Sequence, residues 1–440
     1  MEYISLIMFF VLIFVIFTGY PVAFALTSTA IAFGLYFVGW DYFGLLPLRI
    51  WGSLTNPTFL AVPLFVFMGT MLEKSGLAEE LLDVMFILFR RVRGGLAISV
   101  VIVGALLAAS TGIVGATVIT MGLIALPNML RHNYSKTLAT GTIAAAGTLG
   151  QIIPPSVILI ILGEITGVSV KDLFVGAFIP GMLLVVVYIV YILVTSFLFP
   201  STAPAATQKE LEGQTLRKVL MRTLKGLVPP FFLILAVLGT IFWGFASPTE
   251  AAAVGAAGSI LLTILAGKFT YNDLQDVMDR TMSLTCMVFF VLVGATAFGL
   301  IFRGLGGDDM IHHFLNHIAD NHSAMYSLAI VMLVIFILGF FLDFIEITFI
   351  VLPIVMPAMK ALGFDPLWFA ILVAINLQTS FLTPPFGFSL FYLKAVSPPS
   401  VDTLDIYKGI IPFVILQLLC LLAIVFIPEL ATWLPKVMAK

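Results

Sequence analysis

The chain has 440 residues, of which 61% are hydrophobic and only 10% are charged, and its mean hydropathy is +1.16. This balance excludes a water-soluble globular protein, and the net charge of −2 argues against a basic nucleic-acid-binding surface. Apolar runs at 182–199, 231–245 and 410–427 approach or reach the roughly 20 residues that a membrane-spanning helix needs. We therefore expect a polytopic membrane protein with about ten crossings and additional segments that do not span.

The apolar segment 95–127 has basic residues on both of its flanks. Basic residues favour the cytoplasmic side of a membrane, so both ends of this segment are expected to lie in the cytoplasm. A segment that starts and ends on the same side is a re-entrant hairpin, and 110–112 would be its polar tip. The flanking residues are Arg90, Arg91, Arg93, Arg131 and Lys136, and the tip comprises Ser110, Thr111 and Gly112.

The next segment, 137–163, has a helical pattern that is interrupted near its middle by two glycines and two prolines. Adjacent prolines remove backbone donors, so carbonyl groups in the preceding turn lose their partners. Such carbonyls are tolerated at membrane depth only where they face protein, water or an ion. We predict a discontinuous helix here, whose break contains Gly147, Gly150, Pro154, Pro155 and Ser156.

The most polar stretch of the chain, 201–227, separates two halves that resemble each other. A constant offset of 230 positions superposes Gly69 on Gly299 and Gly76 on Gly306, and it also superposes the pair at 154–155 on Pro384-Pro385. A doubled proline that recurs at a fixed offset indicates an internal repeat. We predict a first repeat over 1–200, a cytoplasmic linker over 201–227 and a second repeat over 228–440, with a hairpin at 325–357 and a broken helix at 367–393.

The flanks of the second hairpin differ in charge from those of the first. Asp320, Asn321 and Ser323 precede it and only Lys360 follows closely, so this side is expected to be external. The two hairpins then enter the membrane from opposite faces, which requires inverted repeats with an odd number of crossings, about five each. This count places both termini outside.

The second hairpin carries carboxylates at its tip, Asp343 and Glu346. A carboxylate inside an apolar hairpin costs a few kcal/mol unless it is paired or binds a cation, so Asp343 indicates either an ion site or a cap at the turn. The second break supplies the hydroxyls of Thr379, Ser380 and Thr383. Broken helices facing polar tips are typical of sodium sites, and their half-helix N-termini suit an anionic substrate. The expected substrate-facing residues are Pro154, Pro155, Ser156, Pro384 and Pro385.

At these residues the sequence resembles the large, DctM-type membrane subunit of tripartite ATP-independent periplasmic (TRAP) transporters, within the ion transporter superfamily. The phrases at 147–156, 173–181, 247–253 and 339–357 are similar to that family in order and spacing. The resemblance implies an elevator mechanism in the bacterial inner membrane and sodium coupling without an organic cofactor. It also implies two partners, a small four-helix membrane subunit and a periplasmic solute-binding protein that delivers an organic anion.

By resemblance, Ser110, Thr111, Gly147 and Gly150 would form a first sodium site, and Asp343, Thr379, Ser380 and Thr383 the region of a second. Many family members have a Ser-Gly-Ser-Ser first tip, whereas this chain has Ser-Thr-Gly-Ile at 110–113, which puts the number of coupled sodium ions in question.

Two other classes of function are compatible with a polytopic membrane protein. A self-sufficient carrier or anion channel of the same superfamily would need no partners. An intramembrane enzyme is disfavoured, because its usual diphosphate-binding, metal-binding and nucleophile motifs are missing near the polar sites. The histidines after Asp308, at 312, 313 and 317, fall on a segment equivalent to an amphipathic surface helix, so we expect no metal beyond sodium.

Overall fold

A computed structural model describes residues 2–111, 114–205 and 216–438 of the chain, with side chains described except at 2, 77–79, 108–111 and 216–227. Within these ranges the structure is helical and has no β-strand. Two of the helical segments are interrupted at the paired prolines, as the sequence predicts. The predicted all-α fold with discontinuous helices is confirmed.

The first half of the chain begins with helices that form an outer framework and ends with a hairpin, a broken helix and a long helix. Short 3₁₀ segments occupy Trp40–Leu45, Pro57–Leu60 and Leu149–Gln151, and a π-helical turn spans Gly34–Val38. The α-helices are α1 (Glu2–Phe17), α2 (Val22–Phe33), α3 (Leu46–Leu54), α4 (Ala61–Lys74), α5 (Leu77–Phe89), α6 (Gly95–Thr111), α7 (Val114–Arg131), α8 (Lys136–Thr148), α9 (Val157–Thr166) and α10 (Val170–Leu198).

The second half follows the same order, and its first helix starts within the predicted linker. The α-helices are α11 (Leu216–Phe242), α12 (Pro248–Leu265), α13 (Tyr271–Gly304), α14 (Gly307–Asn321), α15 (Ala324–Leu338), α16 (Phe344–Ile350), α17 (Leu352–Ala361), α18 (Pro366–Leu382), α19 (Phe388–Val396), α20 (Thr403–Phe426) and α21 (Glu429–Met438).

Length and composition identify the helices that can cross a membrane. Among the described residues, α7, α10, α12, α13 and α20 are long and apolar enough. Two further segments pass the same test as bent pairs, 40–54 with 57–74 at 50° and α16 with α17 at 56°. Shorter apolar helices of 10–17 residues complete the apolar body, and they include one half of each broken helix, α9 and α18.

The two halves differ where only one of them has a proline. Helix α13 is continuous over 34 residues, whereas the equivalent stretch of the first half is broken before Pro57. The second half has Met287 at the position equivalent to Pro57. Similarly α7 is continuous, but its counterpart is divided into α16 and α17 just before Pro353. Proline lacks the backbone N–H that continues a helix, so each bend follows from a single residue.

Both hairpins fold back on themselves. In the first, α6 packs against α7, and the N–H of Leu96 at its start donates to Tyr134 Oη just beyond its end, at 3.2 Å. In the second, α15 and α17 both pack against the surface helix α14. Each segment therefore has its two outer ends at one side of the molecule, as a re-entrant hairpin requires.

The two halves are interleaved. In the framework, α4 packs against α12 and α13 packs against α2. Each hairpin contacts the first part of the broken helix in its own half. The second leg of each hairpin also contacts the last part of the broken helix in the opposite half, so that α7 packs against α19 and α16 packs against α9. Residues 138–163 and 368–382 are all buried, so the broken helices form the centre of the protein.

Candidate functional site

The first break lies at the buried centre of the molecule. Helix α8 ends at Thr148, a 3₁₀ turn follows, and α9 begins only at Val157. Between them, Pro154, Pro155 and Ser156 are all buried, and the peptide bond between the two prolines is cis. Ser156 Oγ donates to the carbonyl oxygen of Gln151 at 3.1 Å, which gives one carbonyl of the interrupted turn a partner.

The glycines of the first break are explained in part by packing. A Cβ atom on Gly147 would lie 2.3 Å from Val118 Cγ2 on α7, so the second leg of the hairpin approaches the helix closely here. Gly150 is buried in the 3₁₀ turn. Ser110 and Thr111 end α6, but their side chains are not among those described, and Gly112 lies outside the described residues. The first sodium site therefore stays a prediction.

The second break is more accessible than the first. Helix α18 ends at Leu382 and α19 begins at Phe388, and between them Pro384 is partly exposed and Pro385 is exposed. Tyr407 Oη donates to the carbonyl oxygen of Pro385 at 3.1 Å. The prolines of the first break are covered by protein, whereas those of the second lie at the surface of the chain.

Three hydroxyl groups line the end of α18. Thr379 Oγ1 donates to the carbonyl of Ile375, Ser380 Oγ to that of Leu377, and Thr383 Oγ1 to that of Thr379, each at 2.8 Å. Each hydroxyl thus uses its hydrogen within the helix, and its oxygen lone pairs remain available to accept a donor or to contact a cation.

The tip of the second hairpin touches this break. A Cβ atom on Gly339 would lie 2.1 Å from Ser380 Oγ, so only a glycine allows this approach. The ring of Phe341 lies 5.1 Å from the ring of Phe386, measured between centroids. The hairpin tip and the broken helix therefore meet, as the sequence predicts.

Asp343 and Glu346 cap the start of α16. The N–H of Phe344 donates to Asp343 Oδ1 at 2.8 Å, and the N–H of Asp343 donates to Glu346 Oε2 at 2.9 Å. The capping interpretation left open by the sequence is thus observed, although it leaves further carboxylate oxygen capacity for a cation. Both side chains line a cavity of about 500 Å³ between the hairpin tip and helices α2 and α13.

Sequence reasoning missed three buried polar residues between the two breaks. Gln378 Nε2 donates to Thr148 Oγ1 at 3.4 Å. Gln378 Oε1 and both polar side-chain atoms of Gln151 are buried without a hydrogen-bond partner among the described residues. The sequence signal that could have identified these residues is the glutamine beside each break, because a side-chain amide in an apolar segment needs hydrogen-bond partners. These side chains give the centre of the protein a polar character that the hydroxyls and prolines alone do not.

The chemistry of this centre suits a hard monovalent cation better than a transition metal. Hydroxyl, carbonyl and carboxylate oxygens are the ligands that hard cations prefer. Among the described residues, no group of three or more His, Cys, Asp or Glu side chains could hold a metal ion. The predicted second-site residues are thus assembled on two contacting elements, the hairpin tip and the end of α18.

Comparison with known proteins agrees with this architecture. Residues 6–430 match the family described as tripartite ATP-independent periplasmic transporter, DctM component. The chain is 28% identical to the C4-dicarboxylate TRAP transporter large permease protein DctM of Vibrio cholerae, over 98% of this chain and 97% of that protein. It is 26% identical to the sialic acid TRAP transporter large permease protein SiaM of the same organism, over 96% of each chain.

A third relative and one solved structure extend the comparison. The ectoine TRAP transporter large permease protein TeaC of Halomonas elongata is 26% identical, over 94% of this chain and 95% of that protein. The crystal structure of the Alcanivorax borkumensis YdaH transporter superposes with a TM-score of 0.65 at 12% identity, covering 93% of this chain and 98% of that chain. The likeness to YdaH concerns the fold alone, and it is consistent with the predicted elevator-type fold class of two inverted repeats.

Proposed function

We propose that the chain imports a small organic acid, carried as a carboxylate anion, and that this import is coupled to sodium. The chain belongs to the DctM component family of TRAP transporters, whose members are large permease subunits and not enzymes. Its relatives are named for chemically different solutes, C4-dicarboxylates, sialic acid and ectoine. Family membership therefore leaves the solute of this chain open, and the carboxylate class rests on the half-helix ends that face the two breaks.

The observation that carries sodium coupling is the contact between the second hairpin and the second break. It places Gly339, at the start of the hairpin tip, against Ser380. Ser380 lies at the end of α18 with Thr379 and Thr383, and the hydroxyl oxygens of all three residues have free lone pairs. Two carboxylates, Asp343 and Glu346, line the adjoining cavity. A carboxylate solute is repelled from such a cavity unless a cation offsets the charge, because like charges repel strongly where water is scarce. Solute binding would then require sodium, which is the thermodynamic basis of coupled import.

The proposed mechanism is of the elevator type. The hairpins and broken helices form a central body, which would slide against the framework formed by α2, α4, α12 and α13. Among the described residues, the polar contacts that join the two parts include the bond between Asn56 and Glu164 and the bond from Thr120 Oγ1 to Glu73 Oε1 at 2.8 Å. A body held by bonds of this kind can move as a unit at moderate cost.

The proposed setting is the bacterial inner membrane, in a tripartite complex with a small four-helix membrane subunit and a periplasmic solute-binding protein. In this arrangement the chain forms the pathway and the binding protein supplies the solute. We therefore expect the binding protein to determine most of the selectivity between solutes.

The test is uptake of a radiolabelled carboxylate, first identified as the ligand of the binding protein, into proteoliposomes. The complete complex should accumulate the solute only with an inward sodium gradient, and the chain alone should show little uptake. An equal potassium gradient is the control. Full uptake by the chain alone, at a rate unchanged by the partners, would instead identify a self-sufficient carrier.

A further inference from the structure

A second cavity, of about 380 Å³, lies between the framework and the central body, apart from the one that Asp343 lines. One wall comes from the second half of α13, in the framework, and from α3 beside it, and the opposite wall comes from the end of α9 and the second leg of the second hairpin. Its lining is about half polar and half apolar, and it includes charged side chains. This size is typical of sites for small molecules.

Four charged side chains line the cavity, and two of them neutralise each other. Arg303 Nε lies 3.3 Å from Asp308 Oδ2, so these residues form an ion pair on the framework side. Arg49, on α3, interacts electrostatically with Asp308 but forms no ion pair within 4.0 Å with a carboxylate of the described residues. Glu164, at the end of α9, accepts a hydrogen bond from the side-chain amide of Asn56, which is a neutral partner. Arg49 and Glu164 thus line one cavity, and neither forms a close ion pair with another of the described residues.

Opposite charges that share a cavity without forming an ion pair are complementary to a solute that carries both charges. We propose that this cavity binds a zwitterionic amino-carboxylic solute, whose carboxylate pairs with Arg49 and whose cationic nitrogen pairs with Glu164. The Arg303–Asp308 pair leaves the net charge of the lining at zero, so a zwitterion fits it better than an anion or a cation does. Arginine presents a planar pair of donors that matches a carboxylate.

This inference rests on the proposed function for the direction of transport and narrows the class of its solute to carboxylic acids with a cationic nitrogen. Under the proposed topology the cavity lies on the external side, because α14 and the outer end of hairpin 2 are next to it. One wall belongs to the framework and the other to the moving body. The cavity would then hold a delivered solute before the body moves.

Binding can be measured on the purified full chain without a gradient or partners. Ser53 lines the cavity, so a Ser53→Cys variant in a Cys286→Ser background places a thiol there for labelling with a soluble maleimide. The probes 4-aminobutyrate, butyrate and butylamine share a four-carbon chain and differ only in their charged ends. Alanine and propionate provide a second pair, and the two charges of alanine lie closer together than those of 4-aminobutyrate.

We expect at least one zwitterion to slow labelling at a concentration about ten-fold lower than its singly charged analogues, since both charges gain a partner. Glu164→Gln keeps an oxygen for Asn56 and removes only the charge, and it should abolish this preference, as should Arg49→Gln. The matched controls Glu429→Gln and Arg91→Gln carry the same substitutions at exposed positions outside the cavity and should change nothing.

Three results would overturn the proposal. Equal protection by butyrate and 4-aminobutyrate would mean that the cavity recognises only the carboxylate. Absence of protection by both zwitterions would mean that the cavity is not a solute site. Unchanged protection in Arg49→Gln and Glu164→Gln, together with slower uptake, would identify the two residues as a pair that closes during movement. Sodium-driven uptake by the complete complex tests the proposed function separately, so the two failures can be told apart.

Discussion

Gln378 and Thr148 are in contact across the centre of the protein, with Gln378 Nε2 donating to Thr148 Oγ1 at 3.4 Å, and they are 230 positions apart in the chain. This separation equals the offset that superposes the two halves, so the two residues are equivalent positions of the repeat. Equivalent residues can touch only where the approximate symmetry axis passes between them. The axis therefore runs between the two broken helices, where neither half alone could form the site.

We predict that Gln378→Leu impairs transport without unfolding the protein. Leucine has a similar size, and the lost bond to Thr148 is long, so the free energy of unfolding should change by about 1 kcal/mol or less. Uptake by the complete complex should fall by about ten-fold or more, because the free amide oxygen of Gln378 faces the polar centre. The measurements are sodium-driven uptake and the Tm of the purified chain.

The control is Gln417→Leu, which removes another fully buried glutamine, on α20. It should leave the sodium dependence of uptake unchanged. Equal losses of uptake in the two variants would mean that any buried glutamine serves packing alone and that Gln378 has no special role.

We predict that Gly339→Ala separates the second hairpin from the second break. The added Cβ atom would lie 2.1 Å from Ser380 Oγ and 2.7 Å from Ser380 Cβ, and neither contact can be relieved by rotation of a long side chain. Overpacking of this kind costs about 1–3 kcal/mol. Both the Tm and the sodium-driven uptake should fall. Gly44→Ala, where a Cβ atom meets nothing within 4 Å, should change neither.

Much of the fold could be predicted because the signals are local. The glycines at 76 and 306 precede the surface helices of the two halves, and both have left-handed backbone angles, with φ of 65° and 78°. The paired prolines mark the helix breaks, since proline removes a donor wherever it stands. The charge on the hairpin flanks is likewise read directly from the chain.

The contacts across the two halves could not be predicted in this way. The bond between Gln378 and Thr148 depends on how the repeats interlock, and so does the close crossing at which a Cβ atom on Gly141 would lie 2.1 Å from the carbonyl oxygen of Gly409. The cavity between Arg49 and Glu164 also joins segments more than a hundred residues apart. Such geometry follows from packing between elements, which a single sequence does not specify.

We predict that Thr120→Val shifts the balance between two positions of the central body. Thr120 lies on α7 and bonds to Glu73 on α4 at 2.8 Å, and Arg280 Nη1 lies 3.6 Å from the same carboxylate. If the first hairpin moves against α4, the bond between Thr120 and Glu73 exists in only one of the two positions of the central body. Losing about 1 kcal/mol from one state changes a two-state ratio about five-fold.

Electron paramagnetic resonance distances between labels at Leu123 and Leu265, which are both exposed, would report the two populations. The control Thr263→Val removes a hydroxyl whose bond, to the carbonyl of Ser259 at 2.8 Å, stays within α12. It should leave the populations unchanged. A single distance that Thr120→Val does not alter would count against movement at this contact.

We predict that Asp343→Asn weakens sodium dependence more than it weakens folding. Asparagine keeps an oxygen that can accept the N–H of Phe344, and asparagine and aspartate cap helices about equally well, so α16 should still form. The variant removes only the charge that would offset a sodium ion. The sodium concentration for half-maximal uptake should rise about ten-fold or more, in line with the strength of a close charge pair away from bulk water. Thr383→Ala should raise it by a smaller factor, about three-fold, since it removes one neutral ligand.

A matched substitution separates charge from capping. Asp365→Asn changes the same residue type at the start of α18, where Asp365 Oδ1 accepts from the N–H groups of Leu367 at 2.8 Å and Trp368 at 3.1 Å. It should leave the sodium curve unchanged, because this cap lies at the far end of α18 from the second break. Uptake rate against external sodium, measured with the complete complex in proteoliposomes, distinguishes the variants. If Asp343→Asn keeps the midpoint and steepness of the original curve while the protein remains folded, Asp343 acts only as a cap, and the second sodium site must be formed by other residues.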